Sequence, residues 1–350
     1  MFYLDCLVES IRLSQIQGQE VEIFISNDAS TDQTRAYLED LVKRKSLFPN
    51  LKVFHQPKKR DWMEHMMEMP LMVSGDYVWI LGDDDLLMPG AVDFVLAFIK
   101  KKKPDVLLLN KIVKSHDLRA ILKPRQHSLD GPVLFSSLMD MACRFGILTE
   151  IGFTSCLVFR REPVVEEDPW PWLKTQSIYA QTFRLFPAFT SQKCMAVDNV
   201  CVVHRQNNQR SDQKAIVYFE AMERIPAALL LLLDLQAIDQ GQLNSILEEV
   251  SPESDETTTL LARLLLIIKE YPDMMRDTRI EKIENWRKLA FVSKSKFAQN
   301  IYLQIEKLIS ADTTDKKRNK TFSPKTSLNV FSKIKRETLR IAHQIKKAHI

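Results

Sequence analysis

Asp83-Asp84-Asp85 closes an apolar run, Tyr77–Leu81 (YVWIL), with only Gly82 between them. Three adjacent carboxylates at the end of a buried strand repel one another and raise each other's pKa values unless a cation compensates. A hard divalent ion with oxygen ligands, Mg2+ or Mn2+, fits such a set and would in turn recruit a diphosphate. The plainer reading is an exposed acidic turn that caps the following helix. Asp28 stands in a comparable place, after the β-branched run Val21–Ser26 (VEIFIS). A carboxylate there can accept a hydrogen bond from a base N–H or a ribose hydroxyl. It could equally be an ordinary N-cap, although Ser30, Thr31 and Asp32 are at hand to cap instead.

The elements that must hold these acids follow from periodicity. After VEIFIS, the recurrence of Tyr37, Leu38, Leu41 and Val42 predicts a helix that Lys43-Arg44-Lys45 closes. Leu51–Phe54 reads as a second strand, Trp62–Val73 as a Met-rich helix, and Tyr77–Leu81 as a fully buried strand. Pro89 suits the first turn of a helix carrying Val92, Val95, Leu96 and Ile99, and Val106–Leu109 is another strand. Strands alternating with helices predict an α/β fold, a mostly parallel sheet flanked by helices, and open sheets of this kind bind ligands at the carboxyl edge. Further on, Phe153–Phe159 and Val197–Val203 read as strands with a helix, Ser177–Phe186, between them. From Ala215 to about Ile309 the pattern is helical, with turn signals at Pro226, Gly241, Pro252 and Pro272. The expected domains are 1–214 as the α/β domain, 215–310 as a helical extension, and 311–350 as a basic linker with an amphipathic tail helix.

Composition sets bounds on function. With 350 residues and 45% hydrophobic content, the chain can bury a sizeable core. Its net charge of +4 hides an asymmetry: from Lys316 to Ile350 eleven Lys or Arg face Glu337 alone, about +10, which leaves about −6 on the rest. A general nucleic-acid binder, basic over its whole footprint, is disfavoured. Five widely spaced cysteines without a C-x-x-C pair suit a reducing cytosol. No apolar run reaches 18 residues and the start lacks a secretory pattern, so the expectation is a soluble or peripheral cytoplasmic protein. The tail places Phe331, Ile334, Thr338, Ile341, Ile345 and Ala348 on one face amid Lys and Arg, which suits the inner face of an anionic membrane. The same residues also fit a surface helix or a short coiled-coil partner.

The order strand, Asn-Asp-Ala-Ser-Thr-Asp (27–32), helix, strand, helix, then Ser-Gly-Asp-Tyr-Val-Trp-Ile-Leu-Gly-Asp-Asp-Asp (74–85) resembles family 2 glycosyltransferases of the GT-A fold. The ending Leu-Met-Pro-Gly (87–90) is most similar to the branch of abequosyltransferase-like enzymes of O-antigen assembly. The resemblance implies that a sugar passes from a nucleotide-sugar to a saccharide or lipid-linked saccharide, with inversion and with Mg2+ or Mn2+ as cofactor. It implies that Asp28 contacts the nucleotide base, Asp83 the ribose and Asp85 the metal, with Asp84 between them. Arg205, in Arg205-Gln206-Asn207-Asn208, resembles a loop of that branch, and His204 or Arg205 would meet phosphate or acceptor.

Two departures accompany the resemblance. Many relatives carry a Glu-Asp pair on the helix after the acceptor-side strand, whereas Ser177–Gln181 has no acid. Glu166, Glu167 and Asp168 are the nearest substitutes, with Asp168 the candidate general base beside Trp170 and Trp172, whose rings could stack on a sugar or simply pack. The family's opening strand and its Pro-Thr-Tyr-Asn-like turn also have no counterpart before Tyr3–Ile11, so the expectation is a start lying upstream or an impaired domain. His65 stands where the branch often has Asn. The alternative function is therefore a non-catalytic, membrane-associated relative that has lost donor binding.

Overall fold

Leu38 and Leu41 are buried on one side of a ten-residue helix whose opposite side is charged, and that stripe packs α2 (Thr34–Lys43) on the sheet side of a crossover. The computed structural model describes residues 2–14, 20–44, 48–177, 179–206, 224–248, 284–293, 298–299, 302–303 and 305–306. The expected tail helix and the helical stretch Leu260–Ile268 lie outside these residues. The chain divides into two units, one comprising 1–141, 150–174 and 180–208, the other 142–149, 175–179 and 209–350.

The first unit opens with α1 (Phe2–Leu13), which buries Leu4, Leu7, Val8 and Ile11. β1 (Ile23–Asn27) and β2 (Leu51–His55) pair in parallel as a two-stranded sheet, Asn27 opposite His55, with α2 as the crossover such a pair requires. Asp32 begins α2: its Oδ1 accepts from the Thr34 amide at 3.0 Å, and hydrogen bonds from Thr34 bring its pKa down to about 2. α3 (Trp62–Met72) is capped by Asp61, which accepts from the amides of Met63 and Glu64.

A second sheet has seven strands: β3 (Tyr77–Trp79), β4 (Leu86–Leu87), β5 (Val106–Lys114), β6 (Ile121–Lys123), β7 (Val133–Phe135), β8 (Leu157–Arg160) and β9 (Cys194–Arg205). The order is β3-β8-β5-β9-β4, with β6 on β5 and β7 on β9. Helices α4 (Ala91–Lys102), α5 (Leu138–Phe145), α6 (Arg161–Glu166), α7 (Trp170–Lys174), α8 (Ala180–Phe183) and α9 (Leu185–Ala188) complete the element order up to β9. The α/β class is as expected, but the sheet is mixed rather than mostly parallel. Only β5 and β9 pair in parallel within it, while β8 runs antiparallel to both β3 and β5. A short turn at Ser115–Ala120, with Leu118 at φ 63, joins β5 to β6, and a link that short can connect only antiparallel strands. β3, β5 and β9 nevertheless share one direction, so their carboxyl ends lie on a common edge. Val106–Leu109 and Cys156–Phe159 are almost fully buried and form the centre of this core.

Boundaries shifted where polar residues extend an apolar run. β5 continues five residues past Leu109 through the buried Asn110 and Lys111. The helix expected over Ser177–Phe186 is two short helices, α8 and α9, with Arg184 between them. Arg184 is nearly fully buried and donates to the carbonyls of Met67 and Glu167, tying α3 to the loop before α7.

In the second unit, residues 224–234 form a helix with Ile225, Ala228, Leu229 and Leu232 buried. Pro226 lies within this helical stretch instead of separating elements. Gly241 likewise lies inside the helix Gln240–Glu248. That helix starts with a reciprocal cap, the Gln242 amide donating to Asp239 Oδ1 and the Asp239 amide to Gln242 Oε1. Glu284–Val292 is helical and buries Trp286, Leu289 and Ala290. Among the described residues no helix is long and apolar enough to cross a membrane.

Candidate active site

The acidic triplet forms a tight turn just beyond β3, closed by the Asp85 amide donating to the Gly82 carbonyl at 3.2 Å. Ser155 fixes its entry, accepting from the Gly82 amide at Oγ while its carbonyl accepts from Trp79 Nε1. The exit is fixed by β4, whose Leu86 and Leu87 pair with Val203 and Val202 of β9. This register sets Asp85 beside His204, with Oδ1 3.3 Å from Nδ1. Asp83 is exposed, Asp84 half-buried and Asp85 buried. Burial first, then the charges of Asp85 and Asp83, push the Asp84 carboxyl above its ordinary pKa. The turn therefore gathers three carboxylates in one tight loop, with His204 beside Asp85.

Gly82 leaves an opening where these oxygens converge. A Cβ at that position would lie 3.0 Å from Asp84 Oδ1, 3.4 Å from Asp85 Oδ2 and 3.7 Å from Ser155 Oγ. Among the described residues no group of three His, Cys, Asp or Glu is arranged to hold a metal by itself. The donor set fits a hard cation of the kind that takes one or two carboxylates and fills its shell with water and phosphate oxygens.

Arg205 supports the turn from within. It is 1% exposed, and it donates from Nε to the Asp84 carbonyl at 3.1 Å and from Nη1 to the His116 carbonyl at 2.9 Å. Its guanidinium lies 4.9 Å from the Tyr3 ring centroid, a cation–π contact with α1. Its Nη2 is buried and has no hydrogen-bond partner among the described residues.

Asp28 belongs to a different cluster at the carboxyl ends of β1 and β2. Asp32 accepts from the Thr34 amide just before α2, whereas Asp28 reaches across, and its Oδ1 accepts from the Arg60 amide at 2.9 Å. His65 Nδ1 lies 3.6 Å from the same oxygen. Arg60 is itself held by Glu68 in a bidentate pair at 2.5 and 2.7 Å. Among the described residues no hydrogen bond or ion pair joins Asp28 to the acidic triplet.

Asp168 is exposed and accepts from the Trp170 amide at 3.0 Å, the cap of α7, without contact to the triplet among the described residues. Trp170 is 63% exposed, whereas Trp172 is fully buried with Nε1 3.4 Å from Glu167 Oε1, so packing accounts for the second ring. Gln181, in the stretch without an acid, has a buried Oε1 with no hydrogen-bond partner and an Nε2 3.5 Å from Thr154 Oγ1.

One cluster behind the turn was missed by sequence reasoning. Glu150 is 1% exposed, with Oε2 3.5 Å from Lys111 Nζ and 3.8 Å from His127 Nδ1. Burial drives the Glu150 carboxyl upward, but His127 and Lys111 outweigh it and hold the pKa below the ordinary value. Lys111 Nζ also sits 4.2 Å over the Phe153 ring, whose edge meets His204 at 4.5 Å between centroids. The signal available was the Asn110-Lys111 pair inside an otherwise apolar run.

A sheet whose common carboxyl edge carries an acidic turn beside a parallel β–α–β unit is the GT-A type of glycosyltransferase fold. Residues 3–166 match the family model for Glycosyl transferase family 2. The chain is 22% identical over 222 residues to abequosyltransferase RfbV of Salmonella typhimurium, a match covering 61% of this chain and 65% of that protein. Among solved structures it resembles S. aureus TarS 1-349, with TM-score 0.53, 16% identity and coverage of 88% and 84%. It also resembles that segment in complex with UDP-GlcNAc, with TM-score 0.50, 15% identity and coverage of 88% and 85%. Against a longer TarS structure the chain spans half the length, with TM-score 0.52.

Proposed function

We propose that this chain transfers a hexosyl or deoxyhexosyl group from a nucleotide-sugar to a saccharide or lipid-linked saccharide, in the assembly of an envelope polysaccharide of the O-antigen kind. The observation that carries this reading is the tight turn of three adjacent carboxylates at the carboxyl edge of the sheet. The match of residues 3–166 to the family model and the likeness to RfbV support the chemistry, and the complex of TarS with UDP-GlcNAc supports a nucleotide-sugar donor. Asp28 would meet the base, Asp83 the ribose, and Asp84 with Asp85 the cation and diphosphate. A divalent ion bound there would offset charge on the departing diphosphate. His204 orients Asp85, and Arg205 keeps the backbone of the turn in place. Asp168 has Oδ2 outside its cap and is the proposed base for the acceptor hydroxyl, consistent with single displacement and inversion.

A second reading, a non-catalytic relative, is favoured by Gln181 in the stretch without an acid and by the capping role of Asp168. Incubation with UDP-, GDP-, CDP- and dTDP-sugars, lipid-linked acceptors and Mn2+ separates the two by release of nucleoside diphosphate. Asp168→Asn should lower turnover by about 10²-fold or more with donor affinity unchanged. Unchanged turnover would remove Asp168 from the mechanism, and no acceptor-dependent release with any donor would favour the second reading.

A further inference from the structure

We infer that Phe153 is a positioning residue for the acidic turn: it holds the His204 imidazole at the angle from which that ring meets Asp85, an inference that rests on the donor-site reading above. Strand pairing settles only where the His204 backbone lies. Val203 pairs with Leu86 of β4 and His204 with Val113 of β5, which brings His204 beside the turn. Its side chain is 30% exposed and must still take one staggered rotamer out of several. Among the described residues the ring makes two directional contacts. One is to Asp85, with Oδ1 3.3 Å from Nδ1, past the usual length for such a bond. The other is to Phe153, with ring centroids 4.5 Å apart and planes at 77°, the T-shaped arrangement that aromatic rings favour.

Phe153 is itself well anchored. Lys111 Nζ stands 4.2 Å over its ring, on a side chain 4% exposed that has Glu150 Oε2 at 3.5 Å. The Phe153 amide donates to the Glu150 carbonyl at 3.2 Å, and its carbonyl accepts from the Cys156 amide at 2.9 Å. Two residues on, Ser155 Oγ accepts from the Gly82 amide at 3.0 Å. One short segment, 150–155, thus reaches the turn at both ends: Ser155 at its entry and Phe153, through His204, at its exit. A phenyl ring offers no ligand to a hard cation or a phosphate, so Phe153 acts only by placing groups that do.

Phe153 is half-buried, so removing its ring opens little of the core. Phe153→Leu and Phe153→Met remove the ring and keep an apolar side chain, while Phe153→Tyr keeps the ring. Phe159→Leu, at the centre of the core, is the packing control. For each full chain the melting temperature is followed as MnCl2 is raised at a fixed concentration of UDP, GDP, CDP or dTDP. The MnCl2 concentration that gives half the rise should increase about tenfold in Phe153→Leu and Phe153→Met, as for other groups that orient a metal site from outside it. Phe153→Tyr should behave as wild type. Phe159→Leu should lower the metal-free melting temperature and leave the MnCl2 dependence in place. An unchanged MnCl2 dependence in Phe153→Leu and Phe153→Met, whatever their metal-free stability, would overturn the inference alone, as would an equal shift in Phe153→Tyr or Phe159→Leu. No rise in wild type with any of the four nucleotides would overturn the donor-site reading and the inference with it.

Discussion

Asp84 and Glu150 are both withdrawn from water behind the same sheet edge, and their acidities move in opposite directions. Burial opposes the charge of each. Around Asp84 the neighbours are Asp85 and Asp83, which add to the penalty, whereas around Glu150 they are His127 and Lys111, which reverse it. The difference separates an acid whose neighbours favour its charged form from one whose acidic neighbours disfavour it. Lys111 and His127 stand beside the buried Glu150 and tie β5 to the segments after it, while both Glu150 oxygens lack a hydrogen-bond partner among the described residues. The triplet has its backbone secured by Ser155, β4 and Arg205 and sets three carboxylates side by side, with His204 at Asp85, a set that a hard cation would suit.

The largest effect should come from breaking the buried Glu150 cluster. Lys111→Met leaves Glu150 buried and uncompensated, and should lower stability by about 3–5 kcal/mol in urea unfolding. Adding Glu150→Gln should restore most of that loss. A cost well below 1 kcal/mol for Lys111→Met would mean the two clusters do not differ in kind. The pH profile sharpens the point. The Glu150 carboxyl lies below its ordinary 4.5, so its contribution is present above that value and is lost as pH falls through the lowered one.

Asp84 should behave oppositely and more weakly. Its carboxyl is raised above 3.8, so the stability it confers is full below that value and disappears as pH rises through the raised one. Asp84→Asn should therefore be slightly more stable than wild type at neutral pH without a divalent ion, and equal to it in strong acid. Thermal unfolding across pH measures this, and a variant less stable than wild type at pH 7 would show that the turn is already compensated.

Much of the site could be read from residue order because it depends on local chain direction. A strand that runs into Gly82-Asp83-Asp84-Asp85 puts its acids on the carboxyl edge whatever the neighbouring strands do. What depends on pairing could not be read. The mixed character of the sheet follows from the turn after β5 and from β8 inserting between β3 and β5, contacts distant in sequence. The partners of Arg205, the His116 carbonyl and the Tyr3 ring, are likewise far away in the chain. The Glu150 cluster was hidden for the same reason: its acid and its two partners come from three separate segments. Trp170 and Trp172 are two residues apart, and only the register of a five-residue helix exposes one and buries the other.

The central claim is that the acidic turn is a donor site that a divalent ion and a nucleoside diphosphate complete together. Thermal unfolding of the full chain with UDP, GDP, CDP or dTDP, each with and without Mn2+, in wild type and in Asp85→Ala, addresses it directly. The account predicts that at least one nucleotide raises the melting temperature of wild type only when Mn2+ is present, and that Asp85→Ala abolishes the rise. A rise of equal size in Asp85→Ala, or none with any nucleotide in wild type, would contradict it.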